Sequence, residues 1–197
     1  MRLDALVEGV PDEVVARKLI EHTGHEFGTC YGKKGWTYIR DKARGFANAA
    51  RHSGLLIVVD FADTGLDCVA TMYGAWIGQS NPRVLCRGAV GKIESWVLAD
   101  RVGIATKLNV PVQRIPLDVD SLPDPKATLI SVAAHSKSRS VKANFLPLPG
   151  IRASQGPLYA SELSSFVATA WDVDRAAEHS QSLNRCIARL RAMHGVD

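Results

Sequence analysis

Three acidic side chains stand where apolar segments run out: Glu8 after Leu3–Val7, Asp60 after Leu55–Val59, and Glu94 soon after Arg83–Val90. Asp12 and Asp63 are second acids at the first two of these corners, and Asp67 follows close behind. Gathered in one crevice, such carboxylates raise one another's pKa and cannot all stay ionised unless a cation compensates them. Oxygen-only ligation suits Mg²⁺ or Mn²⁺ rather than zinc. Those ions bind phosphates and activate water, which makes a phosphodiester the natural substrate class. The expected metal ligands are therefore Glu8, Asp12, Asp60, Asp63 and Glu94. A plainer use stands beside this one. Pro11 suits the first helical position, and Asp12 and Glu13 then fall in the first turn, where the helix dipole favours negative charge.

The elements that must position these acids alternate. Leu3–Val7 reads as a short strand, Asp12–Glu21 as a helix ending near Gly24, and His25–Tyr31 as a second strand followed by the turn Gly32-Lys33-Lys34-Gly35. A helix is expected over Tyr38–His52, a buried strand over Leu55–Val59, a helix over Leu66–Trp76 and a fourth strand over Arg83–Val90. Strands alternating with helices imply right-handed crossovers and a mainly parallel sheet with helices on both faces. Ligands of such sheets bind outside the carboxyl ends of the strands, where the acids stand. This α/β core is expected over residues 1–100. Residues 101–197 read as an irregular and helical extension packed on it. Seven prolines break 110–157 into short pieces, with one short helix over Pro125–Ala134, and two helices follow at Tyr159–Ala170 and Asp174–Met193.

Composition bounds the rest. With 197 residues, 46% hydrophobic and 22% charged, the chain has enough material for one ample core. It contains no apolar run long enough for a membrane span. Asp4 and Glu8 interrupt the region where a secretory signal would need its apolar core. Cys30, Cys68, Cys86 and Cys186 are widely spaced, without a C-x-x-C pair or a histidine cluster, and read as idle thiols in a reducing cytoplasm. The formal charge is +4, and the excess lies entirely in residues 101–197. No Asp or Glu occurs from Pro125 to Ser161, whereas Lys126, Lys137, Arg139, Lys142 and Arg152 do. That stretch is either a phosphate-attracting surface or a solvated basic loop.

Leu6-Val7-Glu8-Gly9-Val10-Pro11-Asp12-Glu13 resembles the first motif of the Toprim superfamily, in which a Glu-Gly pair ends the first strand. Val58-Val59-Asp60-Phe61-Ala62-Asp63 resembles its second motif, an Asp-x-Asp after a later strand. Arg87-Gly88-Ala89-Val90, Ile93–Asp100, Asp124-Pro125-Lys126 and Ser182-Leu183-Asn184-Arg185 resemble features of a small bacterial Toprim-like family of unknown function, related to the nuclease domain of OLD-type endonucleases. The resemblance implies a Toprim-like fold and a metal-dependent nuclease. In it Glu8 is a metal ligand or general acid/base, the aspartates hold Mg²⁺ or Mn²⁺, and a downstream lysine, Lys126 or Lys142, stabilises developing charge. Lys137, Arg139, Lys142 and Arg152 would lie along the nucleic-acid backbone. It also implies a separate ABC- or SMC-like ATPase partner and a role in defence against phage or plasmid DNA. A homo-oligomer is left open.

The second motif departs from the pattern: Ala62 stands where its second acid belongs, and the next acid is Asp63. Side chains at a strand end alternate in direction, so either the turn reshapes the site or a metal position is weakened or lost. A catalytically degenerate subunit that docks an ATPase or nucleic acid is the corresponding alternative. Asp60–Gly65 also superficially resembles the nucleophile loop of haloacid-dehalogenase-type phosphatases, but the three-residue step to Asp63 spoils that spacing. No G-x-x-x-x-G-K-[ST] loop is present, and the six histidines form no ligand pair. Trp76 and Trp96 sit on apolar helix faces and are expected in the core.

Overall fold

The computed structural model of the chain describes residues 1–66 and 68–195. Four apolar segments form strands, β1 (Arg2–Val7), β2 (Glu26–Gly32), β3 (Gly54–Asp60) and β4 (Val84–Ala89), in one all-parallel sheet of order β2-β1-β3-β4. β3 is buried along nearly its whole length because it is central and covered on both faces, which is why it reads as an unbroken apolar run. The period-two alternation divides the sheet cleanly. Leu3, Ala5, Val7, Leu56, Val58 and Ala89 enter one core, and Leu6, Leu55, Ile57, Val59, Val84 and Cys86 the other.

Helix α1 (Val10–His22) covers the first face, while α2 (Trp36–Ala49) and α3 (Val69–Trp76) cover the second. Neighbouring strands β1 and β3 therefore lead into helices on opposite faces. The chain parts between their carboxyl ends, and a crevice opens at that switch point. The remaining helices, α4 (Ile93–Ala99), α5 (Arg101–Leu108), α6 (Pro125–Ala134), α7 (Arg139–Phe145), α8 (Tyr159–Thr169), α9 (Val173–His179) and α10 (Gln181–Arg191), share the first face with α1. Every residue of α4 is buried, since it is sandwiched between sheet and later helices, and Trp96 lies in this layer. Among the described residues no helix is long and apolar enough to cross a membrane.

Three expectations need correction. The single helix over Asp174–Met193 is two helices, because Ser180 is extended, caps Leu183 N–H (3.2 Å) and donates to Asp120 Oδ1 (2.8 Å). A serine side chain that bonds nearby backbone competes with helix continuation. The interval 110–157 is mostly irregular and holds α6 where expected, but it also holds α7, capped by Ser138 on Val141 N–H (3.4 Å). The expected helix from Leu66 begins only at Val69, after a 3₁₀ turn over Phe61–Thr64. Asp100, fully buried, starts α5 by accepting from Gly103 N–H and pins α9 by accepting from Asp172 N–H and Arg175 Nε (2.9 Å each).

Candidate metal centre

The acid-bearing corners are tied together by their own carboxylates. Glu8 Oε1 accepts the backbone N–H of Asp60 at 2.7 Å, and Asp60 Oδ1 accepts the N–H of Ile93 at 2.8 Å. Glu94, one residue on and buried, accepts the Tyr159 hydroxyl at 2.8 Å from α8. One bond from each acid thus fixes the next corner around the crevice, a cavity of about 250 Å³. Glu8, Asp12, Asp60 and Glu94 line it, with Lys92 just before α4, Lys126 in α6, Gln155 between α7 and α8, and Tyr159 at the start of α8 closing it. Residues from 1–100 and 101–197 both contribute walls.

Asp63 joins this group through the turn. After Asp60 the chain winds into one 3₁₀ turn, so Asp63 comes back beside Glu8 and Asp60, and one oxygen of each lies within 4.8 Å of the others. Gly88 makes room for that turn: a Cβ there would meet Phe61 Cβ at 2.8 Å. Gly91, with φ +77°, then turns the chain from β4 into α4 and lies where a Cβ would press on Pro125. Asp12 and Glu94 line the same crevice but stand outside the tight trio, so the expected group of five divides into three and two. Asp67 lies outside the described residues.

The acids are held against their preferred charge state. Burial, then the nearby Asp60 and Asp63 charges, push Glu8 up to about 7, although the Asp60 N–H and Lys92 pull the other way. Burial, with Glu8 and Glu94 beside it, raises Asp12 to about 7. Burial together with Asp12 and Glu94 does the same to Asp60. Asp12 stands in the first turn of α1, where the backbone N–H groups of Gly9 and Asp12 itself partly offset the rise in its pKa, but its Oδ1 is shielded from solvent without a hydrogen-bond partner. Gln155 Oε1, at the same crevice, is likewise shielded and unpartnered. All-oxygen donors with two stranded acceptors fit a hard divalent cation, and an isolated buried acceptor is otherwise costly.

Lys92 and Tyr159 were not among the expected site residues. Lys92 Nζ lies 2.6 Å from Asp63 Oδ2 and 3.7 Å from Asp60 Oδ2, partly neutralising the trio. Burial opposes its charge, but the bond to Asp63 and the Asp60 charge outweigh that and raise its pKa. Its position two residues before Glu94 was the available signal. Of the expected basic residues, Lys126 reaches the crevice, with Nζ 5.3 Å from the centre of the Tyr159 ring. Lys137, Arg139, Lys142 and Arg152 are exposed and do not line it, so of the two candidate lysines Lys126 borders the crevice and Lys142 does not. A broader cavity of about 600 Å³ beside α6 is lined by Gln113, Arg114, Asp124 and His135 and gathers no acid cluster.

Tyr159→Phe tests the wall of the crevice. The ring, edge-on to Phe145 at 5.8 Å, keeps its packing, while Glu94 loses its donor. The expected cost is about 1–3 kcal/mol of stability at pH 8, read by urea unfolding. A cost near zero would mean that Glu94 does not depend on this hydroxyl.

No family model, curated protein or solved structure matches the chain, so the reading of the crevice rests on its own residues.

Proposed function

We propose that the chain is a Mg²⁺- or Mn²⁺-dependent phosphodiesterase of the Toprim type that cleaves DNA or RNA. The observation that carries this reading is the convergence of Glu8, Asp60 and Asp63 within 4.8 Å at the sheet's switch point, beside the stranded Asp12 Oδ1. Glu8, Asp60 and Asp63 would hold the cation, with Asp12 and Glu94 bordering it. When bound, such a cation neutralises phosphate charge and acidifies water. The protein supplies the remaining parts. Glu8 supplies the carboxylate between β1 and α1 as a ligand of that cation or, where it is not ligating, as a general acid/base. Lys126 at the mouth and Lys92 within can each meet a phosphate oxygen, Lys92 once its ion pair with Asp63 is exchanged. Partnership with a separate ABC- or SMC-like ATPase and a role in phage defence follow from the motif resemblance alone.

A second reading is favoured by one observation. Lys92 places its ammonium between Asp60 and Asp63, where it could neutralise the acids permanently, as in a degenerate subunit that only docks. Nicking of supercoiled DNA and cleavage of RNA, in Mg²⁺ and in Mn²⁺, with and without any ATPase encoded alongside, separates the two. The enzyme reading expects cation-dependent cleavage abolished by EDTA, and its absence under all these conditions selects docking. Lys92→Met sharpens the test. An enzyme should lose roughly 10²-fold in cleavage rate, the scale of one charge-stabilising donor, while Mn²⁺ binds at least as tightly. A permanent neutraliser would instead yield tighter Mn²⁺ binding with no cleavage in either protein.

A further inference from the structure

We propose that Arg87 and Arg189 form a phosphate-binding site on the open edge of the sheet, apart from the acidic crevice. β4 is an edge strand, paired only with β3, and Arg87 projects from it on the same face as Leu85 and Ala89, toward α10. Arg189 comes down from α10 into the same cavity of about 270 Å³, which Tyr73, Ser80, Asn81 and Leu85 complete. The Arg87 Nε donor is shielded from solvent and has no hydrogen-bond partner. No acid among the described residues lines the cavity or pairs with either arginine.

Two guanidiniums sharing a small, partly dry cavity repel each other unless an anion sits between them. Burial and the Arg189 charge already depress the basicity of Arg87. The adjacent thiols offer no counter-charge, because burial pushes both Cys86 and Cys186 up to about 12 and keeps them protonated. The other groups are arranged to receive an anion. The Tyr73 hydroxyl oxygen accepts Asn81 N–H at 3.0 Å, which leaves its proton free to donate into the cavity. Asn81 is itself fixed, donating to Ala47 O (2.9 Å) and accepting from Arg83 N–H (2.9 Å), so the loop holding it is preformed. Forked guanidinium donors beside a hydroxyl match the tetrahedral oxygens of a phosphate better than a planar or neutral ligand.

The phosphate could belong to a nucleic-acid backbone or be a small free anion, and the inference does not depend on cleavage. The test uses wild type, Arg87→Met and Arg189→Met, which keep much of the side-chain volume, with Arg51→Met as a control at an exposed arginine that lines neither cavity. Inorganic phosphate is titrated by thermal shift, and a fluorescent single-stranded oligonucleotide by anisotropy at several salt concentrations. A backbone site expects Arg87→Met and Arg189→Met each to bind the oligonucleotide about 10-fold more weakly, with the salt slope reduced by roughly 0.7 per lost contact, and Arg51→Met to bind as wild type. A small-anion site expects phosphate to stabilise wild type and Arg51→Met but neither Arg87→Met nor Arg189→Met, with oligonucleotide binding equal in all. Arg189 is exposed on α10, so its variant is expected to fold even if Arg87→Met does not. The proposal is overturned if phosphate and oligonucleotide act on wild type and Arg189→Met alike.

Discussion

Glu8→Gln is expected to abolish cation-dependent cleavage, by roughly 10²–10³-fold or more, while leaving the fold intact. The substitution is nearly isosteric, and the amide oxygen can still accept the Asp60 N–H now held at 2.7 Å, so the tie between the first two corners survives. What disappears is the negative charge beside Asp60 and Asp63, and with it a carboxylate ligand. Cleavage rates in Mg²⁺ and Mn²⁺, with circular dichroism and thermal unfolding on the same samples, read the two effects separately. Equal cleavage by the two proteins would remove Glu8 from the chemistry.

Asp12→Asn should raise the stability of the metal-free protein at alkaline pH. The carboxyl of Asp12 ordinarily titrates at 3.8, and burial beside Glu8 and Glu94 lifts it to about 7. Below 3.8 the acid is protonated folded or unfolded, and it costs nothing. Between 3.8 and 7 the unfolded chain releases the proton and the folded chain keeps it, so stability falls as pH rises. Above 7 the folded chain carries the buried charge and the penalty is full. In chelator-treated protein Asp12→Asn should therefore gain roughly 2 kcal/mol at pH 8 and almost nothing at pH 4, measured by urea unfolding across that range. Glu8 and Asp60, also near 7, give the wild type further slope of the same sign. Added Mn²⁺ should flatten the slope, because a cation bound to ionised acids stabilises the folded state more as pH rises through 7. A stability that rises from pH 4 to 8 without metal would mean that these acids are not confined as described.

Sequence patterning revealed the corners and missed what crosses between them. β1 and β3 were legible because a central strand covered on both faces must be apolar, so the acid that ends each run stands out. Asp63 could not be placed from strand alternation, since the 3₁₀ turn over Phe61–Thr64 replaces that alternation and depends on Gly88 of the next strand yielding space to Phe61. Tyr159 was invisible for a related reason: its partner Glu94 is 65 residues away. The break at Ser180 depends in the same way on Asp120. The acid-free stretch 125–161 was correctly seen as basic, but charge counting cannot tell Lys126, which faces the crevice, from Lys137, Arg139, Lys142 and Arg152, which are exposed outside it.

The central claim is that Glu8, Asp60 and Asp63 gather to hold a divalent cation, and Mn²⁺ supplies the most direct measurement because it scatters anomalously. Crystals grown with Mn²⁺ at pH 8 should show an anomalous peak about 2.0–2.3 Å from oxygens of these three carboxylates, with Lys92 displaced from Asp63. Maps without a peak there, and with Lys92 still bonded to Asp63, would contradict it.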